Sequence, residues 1–67
     1  MPEEPLKNRE VIFEFFTIGP FVKVSALDVA TLTEASIQGP KGTSELILKQ
    51  NALKKLAYVM RKKGLIE

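Results

Sequence analysis

Apolar positions in this chain fall first into two dense runs and then into a helical stripe. Val11-Ile12-Phe13-Glu14-Phe15-Phe16-Thr17-Ile18 is rich in β-branched and aromatic residues, the composition of a strand. Gly19-Pro20 interrupts it, and Phe21-Val22-Lys23-Val24-Ser25-Ala26-Leu27 resumes with partial alternation. Asp28 to Thr31 carries turn chemistry, and Leu32-Thr33-Glu34-Ala35-Ser36-Ile37-Gln38 reads as a third strand. Gly39-Pro40-Lys41-Gly42 closes the strand region, since glycine and proline break both regular structures. A helix follows. Thr43 or Ser44 is placed to cap it, Glu45 suits the positive end of its dipole, and Gly64 stands at its far cap after Lys63. Leu46, Leu53, Leu56, Ala57 and Met60 share one helical face. The predicted order is β-β-β-α in a single domain over residues 10–67, with residues 1–9 as a disordered lead-in.

A two-residue turn at Gly19-Pro20 would set Ile18 against Phe21, Phe13 against Ala26 and Phe15 against Val24. A four-residue loop from Val29 to Leu32 would set Val24 against Ile37 and Ala26 against Ala35. One sheet face then gathers Val11, Phe13, Phe15, Val22, Val24, Ala26, Ala35 and Ile37, the expected floor for the helix stripe. The other face gathers Ile12, Phe16, Ile18, Phe21, Leu27 and Leu32 among Glu14, Lys23, Ser25, Glu34 and Ser36. An antiparallel sheet tolerates one wet face, but six large apolar side chains are too many for it. Pro20 also admits a longer first turn, and a one-residue slip would exchange the faces of strand one. The apolar surplus survives that slip, because strand one is apolar on both sides.

The expected fold class is therefore α+β: a three-stranded antiparallel meander with one C-terminal helix packed on one sheet face. A chain of 67 residues has a small core, which leaves about 3–5 kcal/mol of stability unless a staple, a metal or a partner chain adds to it. There is no cysteine, histidine or tryptophan, so disulfides, thiolate or imidazole metal sites, and Cys- or His-based nucleophile schemes are excluded. Self-association is the remaining route. A homodimer is expected, with Ile12, Phe16, Ile18, Phe21, Leu27 and Leu32 as its candidate interface. Exchange of strands or helices about the Gly-Pro hinges is a variant of the same expectation. The acidic, proline-containing start and the lack of a long apolar run argue against a signal peptide and a membrane span, so a cytoplasmic protein is expected.

The formal net charge of +2 conceals an asymmetry. Residues 1–40 carry three cations and six acids, whereas residues 41–67 carry seven cations and two acids. Lys54, Lys55, Arg61 and Lys62, with Tyr58 among them, form a basic helix face that could follow phosphates while the ring stacks on a base. The plainer explanation is a solvated face whose cations complement the helix dipole. Lys41, Gly42 and Thr43 offer a second candidate, an anion site where a Gly-rich loop enters a helix. That loop lacks the P-loop spacing, and a simple strand-to-helix turn explains it equally. Glu14 and Glu34 form no catalytic set with any neighbour, and the serines have no histidine partner. No enzyme, cofactor or metal is expected. The leading function is a non-catalytic homodimeric protein-interaction module, and the alternative is nucleic-acid binding through the basic helix face.

Two resemblances bear on this. The β-β-β-α order is similar to the latter part of double-stranded-RNA-binding domains, whose second helix follows a Gly-rich loop and opens with Ser-Lys-Lys. Gly42-Thr43-Ser44 matches the loop, while Glu45-Leu46 stands where the lysines would be and no first helix precedes Val11. Three-stranded sheets that enter DNA grooves share the order too, but they present basic polar faces, and this sheet is apolar and acidic. A closer resemblance spans residues 11–60. Val22-Lys23-Val24-Ser25-Ala26-Leu27-Asp28, Thr33-Glu34, Ser36-Ile37-Gln38-Gly39-Pro40 and Ala52-Leu53-Lys54-Lys55-Leu56-Ala57-Tyr58-Val59 resemble a group of short uncharacterised bacterial proteins. The second turn of that group usually carries Gly where Leu32 stands here. The resemblance implies a stand-alone protein and brings no activity or site residue.

Overall fold

The computed structural model describes residues 6–67. Strands β1 (Val11–Ile18), β2 (Phe21–Asp28) and β3 (Thr33–Pro40) form an antiparallel sheet in the order β1-β2-β3, and helix α1 (Glu45–Lys62) follows. The register is the expected one: Ile18 faces Phe21, Phe15 faces Val24, Val24 faces Ile37 and Ala26 faces Ala35. Gly19 occupies the first turn position at φ +57°. Proline holds φ near −65°, so Pro20 excludes a turn with two left-handed residues and leaves the type that needs glycine only at its first position. That choice keeps the loop at two residues and fixes which face each side chain takes.

The β2–β3 loop is where a residue departs from its preferred backbone. Leu32 adopts φ +57° and donates its N–H to the Asp28 carbonyl at 2.7 Å. An L-residue with a Cβ pays about 1–2 kcal/mol there, which glycine avoids. The third strand accordingly starts at Thr33, one residue later than expected, and runs on through Pro40.

Helix α1 is capped at both ends. The Ser44 hydroxyl accepts the Ile47 N–H at 3.2 Å. At the other end Gly64, at φ +74°, donates to the Arg61 carbonyl at 3.0 Å while Leu65 donates to the Met60 carbonyl at 2.9 Å, the pair of bonds that defines a Schellman stop. The buried stripe is Leu48, Ala52, Leu56, Ala57 and Met60. This corrects the expectation at Leu46, which is 65% exposed. About the helix axis Leu46 and Leu48 lie roughly 80° to either side of Leu56, and the sheet takes Leu48, which fills the space over Gly39.

The helix lies on β2 and β3. Its stripe meets Val24, Ala26 and Ala35, with Ile37, Val22 and Phe13 packed at the margin. Alanines on both sides of this contact let the helix sit close to the sheet. At Gly39 the approach is closest, since a Cβ there would lie 2.6 Å from Leu48 Cδ2. Phe15 was expected in this layer, but it is 36% exposed because no helix surface reaches over its end of β1.

Residues 1–5 of the expected lead-in lie outside the described residues. Its last residues are attached to the domain. Leu6 is buried in the core, and the Arg9 N–H donates to the Leu6 carbonyl at 3.1 Å. The Arg9 guanidinium donates to both carboxylate oxygens of Asp28, at 2.9 and 3.2 Å. Thr31 adds its N–H at 3.0 Å and its hydroxyl at 2.7 Å to Asp28 Oδ2. Asp28 is fully buried, and these four donors compensate the loss of water around it. The hydrogen bond from Arg9 does most to hold its carboxyl down at about 2; burial opposes it, and the Thr31 donors and the Arg9 charge assist.

Three outcomes are expected. Leu32→Gly should raise unfolding free energy by about 0.5–1 kcal/mol, measured by urea denaturation, because the strain goes and an exposed side chain loses no packing. The folded-state pKa of Asp28 is depressed, so its contribution should be complete above about pH 5 and disappear as pH falls from about 4 to 2. Asp28→Asn should remove that acid-dependent component from the denaturation midpoint. Arg9→Ala should lower the urea denaturation midpoint at neutral pH, since it leaves a buried carboxylate with fewer partners.

Candidate interaction surface

On the sheet face away from the helix, side chains stand in four rows that cross the strands. The register defines them as Ile12–Leu27–Glu34, Glu14–Ser25–Ser36, Phe16–Lys23–Gln38 and Ile18–Phe21–Pro40. Ile12, Phe16, Ile18 and Phe21 are each about half exposed, while Leu27 is half-buried. Leu32, expected on this face, sits instead at the loop, 74% exposed. The second row is polar, and the Ser25 and Ser36 hydroxyls hydrogen-bond to each other at 2.9 Å. Apolar character therefore declines from β1 toward β3, whose residues on this face are Glu34, Ser36, Gln38 and Pro40. Among the described residues nothing packs over this face.

The two sheet edges differ more sharply than the two faces. In an antiparallel ladder, alternate pairs exchange hydrogen bonds, and the residues between them turn their N–H and C=O outward. The Val29 N–H donates to the Glu10 carbonyl at 3.1 Å, in phase with the two-residue turn that closes on Ile18 and Phe21. The even-numbered residues of β1 therefore bond to β2. The N–H and C=O groups of Val11, Phe13, Phe15 and Thr17 point outward along β1, and no described strand pairs with them. The same alternation turns Glu34, Ser36, Gln38 and Pro40 outward on β3. There Pro40 has no N–H, and Lys55 Nζ donates to the Ser36 carbonyl at 2.7 Å.

The basic helix face is partly engaged within the chain. Besides the Lys55 bond, Arg61 Nε donates to the Glu67 carbonyl at 3.0 Å, and Lys62 Nζ lies 5.9 Å from the centre of the Tyr58 ring. Lys54 and Tyr58 are exposed. In the candidate anion loop, Lys41 donates its N–H to the Pro20 carbonyl at 2.9 Å and Thr43 donates to the Pro40 carbonyl at 3.0 Å. Two loop amides are thus committed to carbonyls beside Gly42. Glu14 and Glu34 lie on strands separated by β2, roughly 10 Å apart, which is too far for a shared proton. No helix among the described residues is long and apolar enough to cross a membrane.

Residues 8–63 match the profile of a family described as Domain of unknown function (DUF6898). The chain belongs to that family. No curated protein and no solved structure matches it. The matched span contains all three strands and the whole of α1, in the β-β-β-α order of the short uncharacterised proteins it resembles. It also includes both members of the Arg9–Asp28 pair, so the family's domain begins before its first strand.

In this DUF6898 domain, two features of the surface escaped sequence reasoning. Hairpin register and alternation place both Phe13 and Phe15 on the core face, where Phe13 packs at the margin and Phe15 stays exposed. Helix width decides the matter: one helix over β2 and β3 leaves the β1 row at its margin, where Lys49 Nζ stands 5.4 Å from the Phe13 ring centre. The blocking of the β3 edge was also hidden, because nothing in the spacing of Ser36 and Lys55 announces their contact. The free β1 edge could have been anticipated from the turn phase and the meander order together.

Proposed function

We propose that this domain is a non-catalytic protein-interaction module of the cytoplasm that works as a homodimer. The observation that supports this reading best is β1 itself. It carries Ile12, Phe15, Phe16 and Ile18 exposed, on both faces of the sheet, in a domain whose buried core holds four alanines and only five larger apolar side chains. A monomer gains little from those exposed side chains, whereas a partner chain recovers roughly 1.5–3 kcal/mol for each large apolar side chain it buries fully. Only the surplus over association costs of about 4–15 kcal/mol becomes affinity, so a reversible dimer is the expected strength.

A nucleic-acid-binding role for Lys54, Lys55, Tyr58, Arg61 and Lys62 is the second reading. The exposed Tyr58 ring beside Lys62 favours it, and the internal bonds of Lys55 and Arg61 weigh against it. It predicts binding to a mixed-sequence oligonucleotide that weakens steeply with salt.

Light scattering after size exclusion, over a hundredfold range of concentration, tests the dimer. Mass should rise from 7.5 kDa toward twice that value, and Phe16→Glu should hold it at the monomer value with an unchanged circular dichroism spectrum. A wild-type mass fixed at 7.5 kDa up to millimolar concentration would overturn the proposal.

A further inference from the structure

We infer that two copies of this chain join edge to edge through β1, antiparallel, to form one six-stranded sheet with Phe15 on the twofold axis; this deepens the homodimer reading and rests on it.

Four observations lead there. First, the apolar surplus is distributed for a lateral contact. On the open face most of it lies on β1 at Ile12, Phe16 and Ile18, with Phe21 beside Ile18 at the hairpin end of β2, and on the helix side it continues at Phe13 and Phe15. Stacking two open faces would instead bury the Glu14–Ser25–Ser36 row and Lys23 against their copies. Second, the outward N–H and C=O groups of Val11, Phe13, Phe15 and Thr17 are a ready ladder. β1 has no proline, no lysine and no bulge, and its register with β2 is unbroken over its whole length. Third, β3 cannot serve as the recipient edge, because Pro40 lacks a donor and Lys55 occupies the Ser36 carbonyl. An assembly that uses β1 against β1 therefore ends at two copies, with a blocked β3 at each outer edge. A second copy suits this edge better than an unrelated peptide, since the twofold pairing consumes both exposed β1 strands at once and closes the assembly.

Fourth, charge decides between the two registers of greatest overlap, those centred on Glu14 and on Phe15. Outward residues must face outward residues, so paired positions sum to an even number. Pairing centred on Glu14 would set two carboxylates directly opposite each other, which is destabilising. Moving the centre to Phe15 sets Glu14 against Phe16 of the second copy, Ile12 against Ile18 and Phe13 against Thr17, and extends the overlap from Val11 to Gly19. The twofold axis is then normal to the sheet and both helices lie on one side. The two Phe15 rings meet in the gap that neither helix covers. The exposed parts of Ile12, Phe15, Phe16 and Ile18 amount to roughly 300 Å² per copy. With the backbone seam the interface reaches about 1,000 Å² in total, at the small end for a specific contact, which fits weak, reversible association in the micromolar range or above.

The chain has no cysteine, so single-cysteine variants report the geometry without interference. In this register the two Phe15 Cα atoms stand about 5.5 Å apart, within disulfide range. Phe15→Cys should form a covalent dimer under mild oxidation, and Phe21→Cys should not. Thr17→Pro removes an outward N–H without touching the β1–β2 ladder, and should leave a folded monomer by circular dichroism and light scattering. If the wild type is dimeric but Phe21→Cys couples and Phe15→Cys does not, the copies meet face to face; edge pairing is overturned and the homodimer stands. A Thr17→Pro protein that keeps the wild-type dimer mass also overturns edge pairing. A wild type that remains monomeric throughout removes both.

Discussion

One α-helix is about 10 Å wide, whereas three strands span about 14 Å with their side chains, and most of this molecule's surface follows from that mismatch. Helix α1 covers two strands well. Its i, i+4 stripe from Leu48 to Met60 seats on Val24, Ala26 and Ala35, and the small residues bring the layers close enough for Leu48 to fill the space over Gly39. What the helix cannot do is cover the whole of β1. Phe13 packs at its margin with Lys49 over the ring, and Phe15 stays partly wet on the inner face. The exposed strand is the geometric remainder of a small α+β domain, and its apolar sequence makes that remainder usable.

The buried Asp28 cluster is the second organising element. It joins three separate stretches: the segment before β1 through Arg9, the end of β2 through Asp28, and the β2–β3 loop through Thr31. By drawing the backbone at Arg9 onto the sheet it places Leu6 in the core and fixes the start of β1. The free edge is thereby held straight at one end by an ion pair and at the other by a proline-locked turn. A strand secured in this way loses little further entropy when it pairs, which favours association through it.

Much of this was legible in the residues. Strand density, the Gly19-Pro20 break and the Thr-Ser-Glu helix start determine the β-β-β-α order, and the two short loops determine the register without ambiguity once the turn length is known. The surplus of apolar side chains on β1 was visible in the same way. Three features were not legible. The stripe rotated from Leu46 toward Leu48, because the sequence offers leucine on both flanks and only the sheet decides between them. Leu6 and Arg9 look like lead-in in the sequence, since their partners lie many residues away and a single leucine and arginine carry no periodic signal. The left-handed Leu32 was hidden as well, because a leucine gives no local signal of a positive φ.

Amide hydrogen exchange along β1 tests the central claim most directly, because edge pairing protects one set of amides and leaves the other set unchanged. Ile12, Glu14, Phe16 and Ile18 bond to β2 and should be protected at every concentration. Val11, Phe13, Phe15 and Thr17 should exchange quickly in dilute solution and slow together as the concentration passes the micromolar range. Fast exchange of those four amides at all concentrations would contradict the account.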